Sequence, residues 1–344
     1  MPVTALGLAA LPVLASLALV GDPPLHGVMF RTGSQTSGLG PILFDLEPAT
    51  GEASNPRELN VNNAVGLAIH PSTGIMYGLT DQFGRIDNQS GNGGKGLIFT
   101  IDIASGACVA VGRIDPTTAT SDAPLAVYEG DLAFHPTTGV LWGVTTRVDF
   151  ARLFTVDLAT GLGTIVADVV PGKGVQLDLS AIAFDPTGQL WGLDTRSPSQ
   201  PGPARLLRID AATGAIVASI QTTRTLGTVA GLAFRPDDGT LLVADGDFGG
   251  TALLYRFDAA LGDLVPIGAT GIAVGNSNGL AGLAFAPAFS FCFEDLDGDR
   301  AVSAADLAIL LGSWGSAGAG DLDGSGAVDA ADLARLLGSW GECP

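Results

Sequence analysis

The chain has 344 residues, enough for one large domain and a small one. Its 49 glycines and 20 prolines, with only 15% charged residues, describe a turn-rich β protein. A formal net charge of −19 argues against nucleic acid and anionic membrane surfaces as partners, and ten acids against two arginines in 292–344 concentrate much of that charge at the end of the sequence.

Residues 5–20, ALGLAALPVLASLALV, are continuously apolar, and Ser16-Leu17-Ala18 has the small-x-small form of a cleavage site. The expectation is a signal peptide over 1–18 and a secreted protein, extracellular or at the cell surface. The stretch lacks a leading Lys or Arg, contains Pro12 and falls short of the roughly 20 residues a spanning helix needs. An uncleaved anchor is the second reading.

Residues 26–287 are repetitive, with two alternating signatures. The first, GLAFxPxTGxLWGL, occurs at 66–78, 131–143, 181–192 and 231–242, with a bare final copy at 282–287. Its prolines fall at 71, 136, 186, 236 and 287, a step of about 50 residues. The second, LFxIDxATG, occurs at 43–51, 98–106, 153–161, 206–214 and 254–262. Both alternate apolar and polar residues and then turn, so each reads as a hairpin. In the second, Asp102, Asp157, Asp210 and Asp258, with Glu47 once in their place, are expected to accept hydrogen bonds from the turn amides ahead of them.

Two hairpins per repeat give one four-stranded sheet, which must stack on neighbours to bury both faces. The expected fold is mainly β, a five-bladed β-propeller, with a β-sandwich or open solenoid as the alternative. His26–Thr32 resembles an LWGL strand without its GLAF partner, and 281–287 is an orphan GLAF strand, so the last strand is expected to complete the first sheet. The wide spacing before Pro136 places an insertion at 81–96 or 114–129. The repeats resemble the broad set of secreted propellers with LYxIDxxTG hairpins, a likeness that implies fold and leaves function open.

The chemistry in this region is sparse, with no P-loop, HExxH or CxxC. His70 and His135 share a repeat position with Asp185, Arg235 and Ala286, which reads as a solvated turn; His26 is left open. Cys108 reads as a buried strand residue. Charges that break the repeat follow the LWGL strands: Asp81, Arg85, Asp87, Arg147, Asp149, Asp194, Arg196, Asp245 and Asp247. Carboxylates gathered on one rim could serve acid–base hydrolysis or hold calcium, but nothing in the spacing selects a pair, and solvated loop charges are the plainer reading.

The last segment, 288–344, carries one loop twice at an offset of 26 residues. The first copy offers side-chain oxygens from Asp295, Asp297, Asp299, Ser303 and Asp306 and the carbonyl of Ala301; the second offers Asp321, Asp323, Ser325, Asp329, Asp332 and the carbonyl of Ala327. Positions 1, 3, 5, 7, 9 and 12 are the ligand spacing of a calcium loop, because a hard cation taking six to eight oxygens requires ligand and spacer to alternate. The expected cofactor is two calcium ions. After each loop, Leu307, Leu310, Leu311, Trp314 and Leu333, Leu336, Leu337, Trp340 recur at helical spacing, behind the N-caps Ser303 and Asp329, and each helix is expected to stop at Gly312 or Gly338.

Two such loops, each with one following helix, the ending LGSWG used twice, and flanking Cys292 and Cys343 resemble a dockerin of the planctomycete secreted type. The resemblance covers about 292–344. It implies one calcium per loop and a cohesin-like or other envelope partner contacting Ala304, Ala305, Ala330 and Ala331. Two departures stand out. Arg300 occupies loop position 6, where glycine is usual and Gly326 fits, so the first site is expected to be weaker. The partner positions are alanines, where cellulosomal dockerins commonly carry a hydroxyl pair. If the ends of the segment meet, Cys292 and Cys343 could form a disulfide clasp.

The functional expectation is an exported non-catalytic propeller, binding a protein or glycan and tethered through a calcium-dependent attachment module. The alternative is a secreted hydrolase of lactonase, phytase or esterase type with a rim active site. A cellulosome-like assembly for polysaccharide catabolism and simple surface sorting both remain open for the tail.

Overall fold

A computed structural model describes residues 23–31, 41–86, 96–115, 125, 127–146, 150–172, 175, 177–196, 201–227, 230–245, 251–273, 278–287, 294–297, 301–316, 318, 320–323 and 325–342. The chain divides into two compact units, Pro23–Ala288 and a smaller one built on Phe289–Pro344. The expected signal at 1–18 lies outside the described residues. Among the described residues no helix is long and apolar enough to cross a membrane.

The larger unit is a five-bladed β-propeller. Its strands in chain order are β1 (Leu25–Arg31), β2 (Ile42–Leu46) and β3 (Ala53–Glu58); β4 (Ala64–Ile69), β5 (Met76–Thr80), β6 (Leu97–Ile101) and β7 (Cys108–Arg113); β8 (Gly130–Phe134), β9 (Leu141–Thr146), β10 (Ala151–Val156) and β11 (Gly163–Val169); β12 (Leu179–Phe184), β13 (Leu190–Asp194), β14 (Arg205–Ile209) and β15 (Ile216–Gln221); β16 (Gly231–Phe234), β17 (Leu241–Ala244), β18 (Thr251–Asp258) and β19 (Asp263–Ala273); and β20 (Asn278–Phe285). Blades 2 to 5 are consecutive antiparallel runs of four strands, and blade 1 is β20-β1-β2-β3. The ring is therefore closed by pairing its two ends, with Leu25 opposite Phe285 and the Ala286 amide donating to the Pro24 carbonyl at 2.7 Å.

Each signature takes the place its pattern implies. The GLAF strand is innermost, the LWGL strand second and the LFxID strand third in every complete copy. The turn aspartates act as expected: Asp102, Asp157, Asp210 and Asp258 accept from turn amides at 2.7–3.2 Å, and Glu47 accepts from Ala49. Where the LWGL strand carries an aromatic it meets the GLAF phenylalanine of the next blade, in Tyr77–Phe134, Trp142–Phe184 and Trp191–Phe234, with ring centroids 5.6–5.9 Å apart. Such pairs, together with the apolar clusters between neighbouring blades, hold the ring together. The insertion is divided between two places, since the β5–β6 and β7–β8 connections are both long. Cys108 is buried in β7, as expected.

The smaller unit contains β21 (Ala301–Val302), α1 (Ala304–Gly312), α2 (Ala330–Gly338) and β22 (Gly341–Glu342). Its halves interlock reciprocally. Val302 of the first half pairs with Gly341, while Val328 of the second accepts from Gly315 and donates to Ser316. Val302, Leu310, Val328 and Leu336 form the buried core.

The helices stop at Gly312 and Gly338, as expected, and Ser313 and Ser339 are the C-caps with φ near −105°. The positive φ falls later in the LGSWG repeat, at Gly315 (77°) and Gly341 (125°), where each half turns to pair with the other. One sequence expectation is corrected in this unit: not all four apolar positions of each repeat face the core. Leu311, Trp314, Leu337 and Trp340 are each about half exposed, because so small a core admits one residue per helical turn.

Candidate functional site

The calcium-loop expectation falls on residues that the fold brings together. Asp295, Asp297 and Asp306 each offer a carboxylate oxygen within 4.8 Å of the others, and Asp321, Asp323 and Asp332 do the same. Among the described residues these are the only groups of three or more His, Cys, Asp or Glu so arranged. The second loop is the better described. The Asp321 carboxylate accepts from the amides of Ser325 and Gly326, Gly326 supplies the turn with φ of 95°, and the Ser325 hydroxyl donates to the Ala327 carbonyl at 3.2 Å. In the first loop Asp299 and Arg300 lie outside the described residues, as do Cys292 and Cys343.

Asp306 and Asp332 have a second job. Each is buried, and each accepts three backbone amides: Leu296, Asp297 and Ser303 for Asp306, and Leu322, Asp323 and Asp329 for Asp332. The third of these bonds closes a capping box with the N-caps Ser303 and Asp329. Burial raises the pKa of Asp306, but the three amides outweigh it and hold the carboxyl below the usual range; at Asp332 the Asp329 amide is the largest influence and acts the same way. The oxygen-only donor set, ionised carboxylates and glycine turn fit a hard divalent cation. Ala304, Ala305, Ala330 and Ala331 open the two helices and are exposed.

On the propeller, several symmetry-breaking charges take structural roles. Both oxygens of Asp81 accept from the Asn63 amide and one also from the Phe83 N–H; burial pushes its pKa up to about 6. Asp194 is fully buried, paired with Arg205 and accepting from the Asp178 and Arg196 amides. Asp245 is buried and accepts from Gly227. The Arg85 amide donates to Asn62. Asp87, Arg147, Asp149 and Asp247 lie outside the described residues. His70 and His135 are turn caps whose Nδ1 accepts from the amides two and three residues on. His26, left open by the sequence, is buried against Asp45, which Arg57 holds in a two-pronged ion pair.

The structure also selects residues that the sequence did not single out. Glu129 precedes inner strand β8 and Asp178 precedes inner strand β12, and the two acids are electrostatic neighbours. Burial, and then the neighbouring acid, raises Glu129; burial first also raises Asp178. Glu129 Oε2 is buried without a partner. The pair sits at the ends where the inner strands begin. Nothing in the sequence signals it, because partners 49 positions apart on neighbouring blades meet only once those blades pack together. An acid whose folded pKa lies above its unfolded value holds its proton longer when folded, so its contribution to stability is lost as pH rises above the usual carboxyl range. The melting temperature is therefore expected to fall from about pH 5 to pH 8, and less steeply in Glu129→Gln. Parallel profiles for parent and variant in calorimetry would refute the raised pKa of Glu129.

The end where the inner strands finish has the opposite character. Leu132, Ala133, Phe134 and Pro136 of blade 3, with their counterparts in the other blades, line a cavity of about 230 Å³ on the propeller axis. Its lining begins one residue after Gly66, Asp131, Ala181, Gly231 and Gly282. At that level neighbouring strands are in backbone contact: a Cβ on Gly66 would lie 2.8 Å from the Asp131 Cα, and one on Gly282 2.8 Å from the Leu67 nitrogen. Asp131 is fully buried there, accepting from the Leu67 amide of blade 2 at 3.3 Å and the Ile182 amide of blade 4 at 3.1 Å. Burial pushes its pKa well up, with the amides pulling the other way.

One further stretch, Gly275-Asn276-Ser277-Asn278-Gly279, spells GxSxG. A nucleophile elbow joins a strand to a helix, whereas this stretch joins antiparallel propeller strands β19 and β20, with Gly275–Ser277 outside the described residues.

No family model matches the chain, and no curated protein matches it. Solved structures similar to it include TolB from Acinetobacter baumannii, at 14% identity over 77% of this chain and 55% of that one, with a TM-score of 0.40. Others are the calcium-binding protein regucalcin from Agrobacterium tumefaciens (19% identity, 63% of this chain and 66% of that one, TM-score 0.33) and the GH43_1 enzyme from Xanthomonas citri (10%, 59% and 73%, TM-score 0.39). The chain thus spans about half the length of TolB. At such identities and scores no activity passes from these proteins to this one, and the fold rests on the five sheets themselves.

Proposed function

We propose that the chain is an exported, non-catalytic binding propeller attached to its surroundings through a calcium-dependent, dockerin-like tail. The observation that carries this reading is the pair of converging carboxylate groups, each at the foot of a capped helix, in a small unit whose halves interlock. Calcium would be held by Asp295, Asp297 and Asp306 in one loop and by Asp321, Asp323 and Asp332 in the other, with Asp299, Ser303, Ser325, Asp329 and the carbonyls of Ala301 and Ala327 completing the oxygen sets. Bound calcium would offset the repulsion among these acids and fix the two helices for a cohesin-like or other envelope partner. Clasping by Cys292 and Cys343 belongs to the same proposal.

The test is capture from an envelope extract by the full chain, in calcium and again in chelator. A protein retained by the parent only in calcium, and lost with Asp321→Ala plus Asp323→Ala, supports the reading; retention indifferent to calcium sinks it. The same double substitution is expected to weaken calcium binding more than Asp295→Ala plus Asp297→Ala, since Gly326 makes the second loop the tighter one. Calorimetric titration showing equal losses would remove the penalty assigned to Arg300.

A rim hydrolase is the second reading, favoured by the Glu129–Asp178 pair. It ranks lower because the axial cavity lies where the inner strands finish, at the other end from this pair. Turnover of an ester, lactone or glycoside that disappears in Glu129→Gln would reverse the order.

A further inference from the structure

We infer that the axial cavity of the propeller is a binding site for a compact, uncharged apolar molecule, a single aromatic ring or a short branched hydrocarbon group. The inference names a ligand class for the propeller half of the proposed function and is independent of the calcium tail.

The argument begins with the lining. Every described residue around the cavity carries an apolar side chain, contributed by the Leu-Ala-Phe-x-Pro run of the five inner strands. The run is nearly constant, with Ile69 in place of phenylalanine in blade 2 and Ile182 in place of leucine in blade 4. No side chain there can pair with a hydroxyl, phosphate or carboxylate. A sugar or nucleotide would find only the free backbone groups of the inner strands as partners, at a cost of about 1–3 kcal/mol for each polar group left unpaired, which favours an apolar occupant.

The second element is shape. At the Gly66–Asp131–Gly282 level the inner strands touch backbone to backbone, and the Asp131 carboxyl bridges the amides of Leu67 and Ile182 across the gap. The cavity is therefore a blind funnel, roughly 13 Å deep from the strand rise between Leu67 and Pro71. A long chain cannot pass through it. An apolar cavity of about 150 Å³ admits benzene, so about 230 Å³ has room for a ring with small substituents. Near five-fold repetition gives the site no preferred orientation, and recognition would rest on size and polarity alone.

Toluene is the probe, with the full chain. In the parent it is expected to raise the melting temperature by about 2–4 °C at ten times its Kd. In Ala233→Leu, which adds three carbons to the lining, the shift should vanish. Xenon-pressurised crystals of the parent supply a reading that does not depend on any variant folding: xenon density should lie among Leu132, Phe184 and Phe234. An absence of xenon from the funnel, or an equal toluene shift in parent and variant, overturns the inference. Either result leaves calcium-dependent capture by the tail unaffected, so the two readings fail separately.

Discussion

Asp131→Ala is expected to destabilise the propeller by about 2–5 kcal/mol, a large share of a domain's usual 5–15. The carboxyl accepts from both the Leu67 and the Ile182 amide, and all three residues are buried. Alanine would leave two buried donors unpaired and a void between three blades. Asn would retain one acceptor oxygen and should lose less. Urea unfolding of the full chain reads both. A loss below about 1 kcal/mol for alanine would mean that the axis relaxes or hydrates, and the funnel would then not be blind.

Asp332→Ala is expected to abolish the fold of the tail, in calcium as well as in chelator. It removes one of three converging carboxylates, half of a capping box worth about 0.5–2 kcal/mol, and the acceptor of three amides. Among its described residues the unit has four fully buried apolar side chains to set against that loss. Chelation of the parent should loosen the tail without touching the propeller. Limited proteolysis followed by mass spectrometry resolves the two units. A tail as resistant in Asp332→Ala as in the calcium-loaded parent would show that neither the metal nor the cap organises it.

Much of the fold was legible because it is written several times. Repetition exposed the hairpins, their spacing gave the blades, and the unmatched strands at 26–32 and 281–287 predicted how the ring closes. The turn aspartates were legible for the same reason, since one residue type recurring before ATG has one local task. What repetition could not reveal is where blades meet. Glu129 and Asp178 belong to no signature, and their contact depends on the placement of two blades. Asp131 occupies a position held by Gly66, Ala181, Gly231 and Gly282 elsewhere, and reads as a variant of a small residue until the axis is seen. The apolar funnel likewise exists only where five ordinary strand endings converge. In the tail, the ligand spacing and the helix ends were legible, but the positive-φ turns at Gly315 and Gly341 were not, because they depend on the other half of the unit.

The pairing of β1 with β20 carries a consequence for how the molecule is made. Those strands are joined by about 250 residues of chain, yet loop entropy rises only logarithmically with length, so closure itself is cheap. The cost is in time. During synthesis, blades 2 to 5 can each complete themselves from contiguous sequence, while β1 waits with an unsatisfied edge until residue 285 arrives. A nascent or truncated chain ending before Asn278 therefore presents that open strand to its neighbours. Such a chain would aggregate edge to edge, and one extended by only the eight residues of β20 would not.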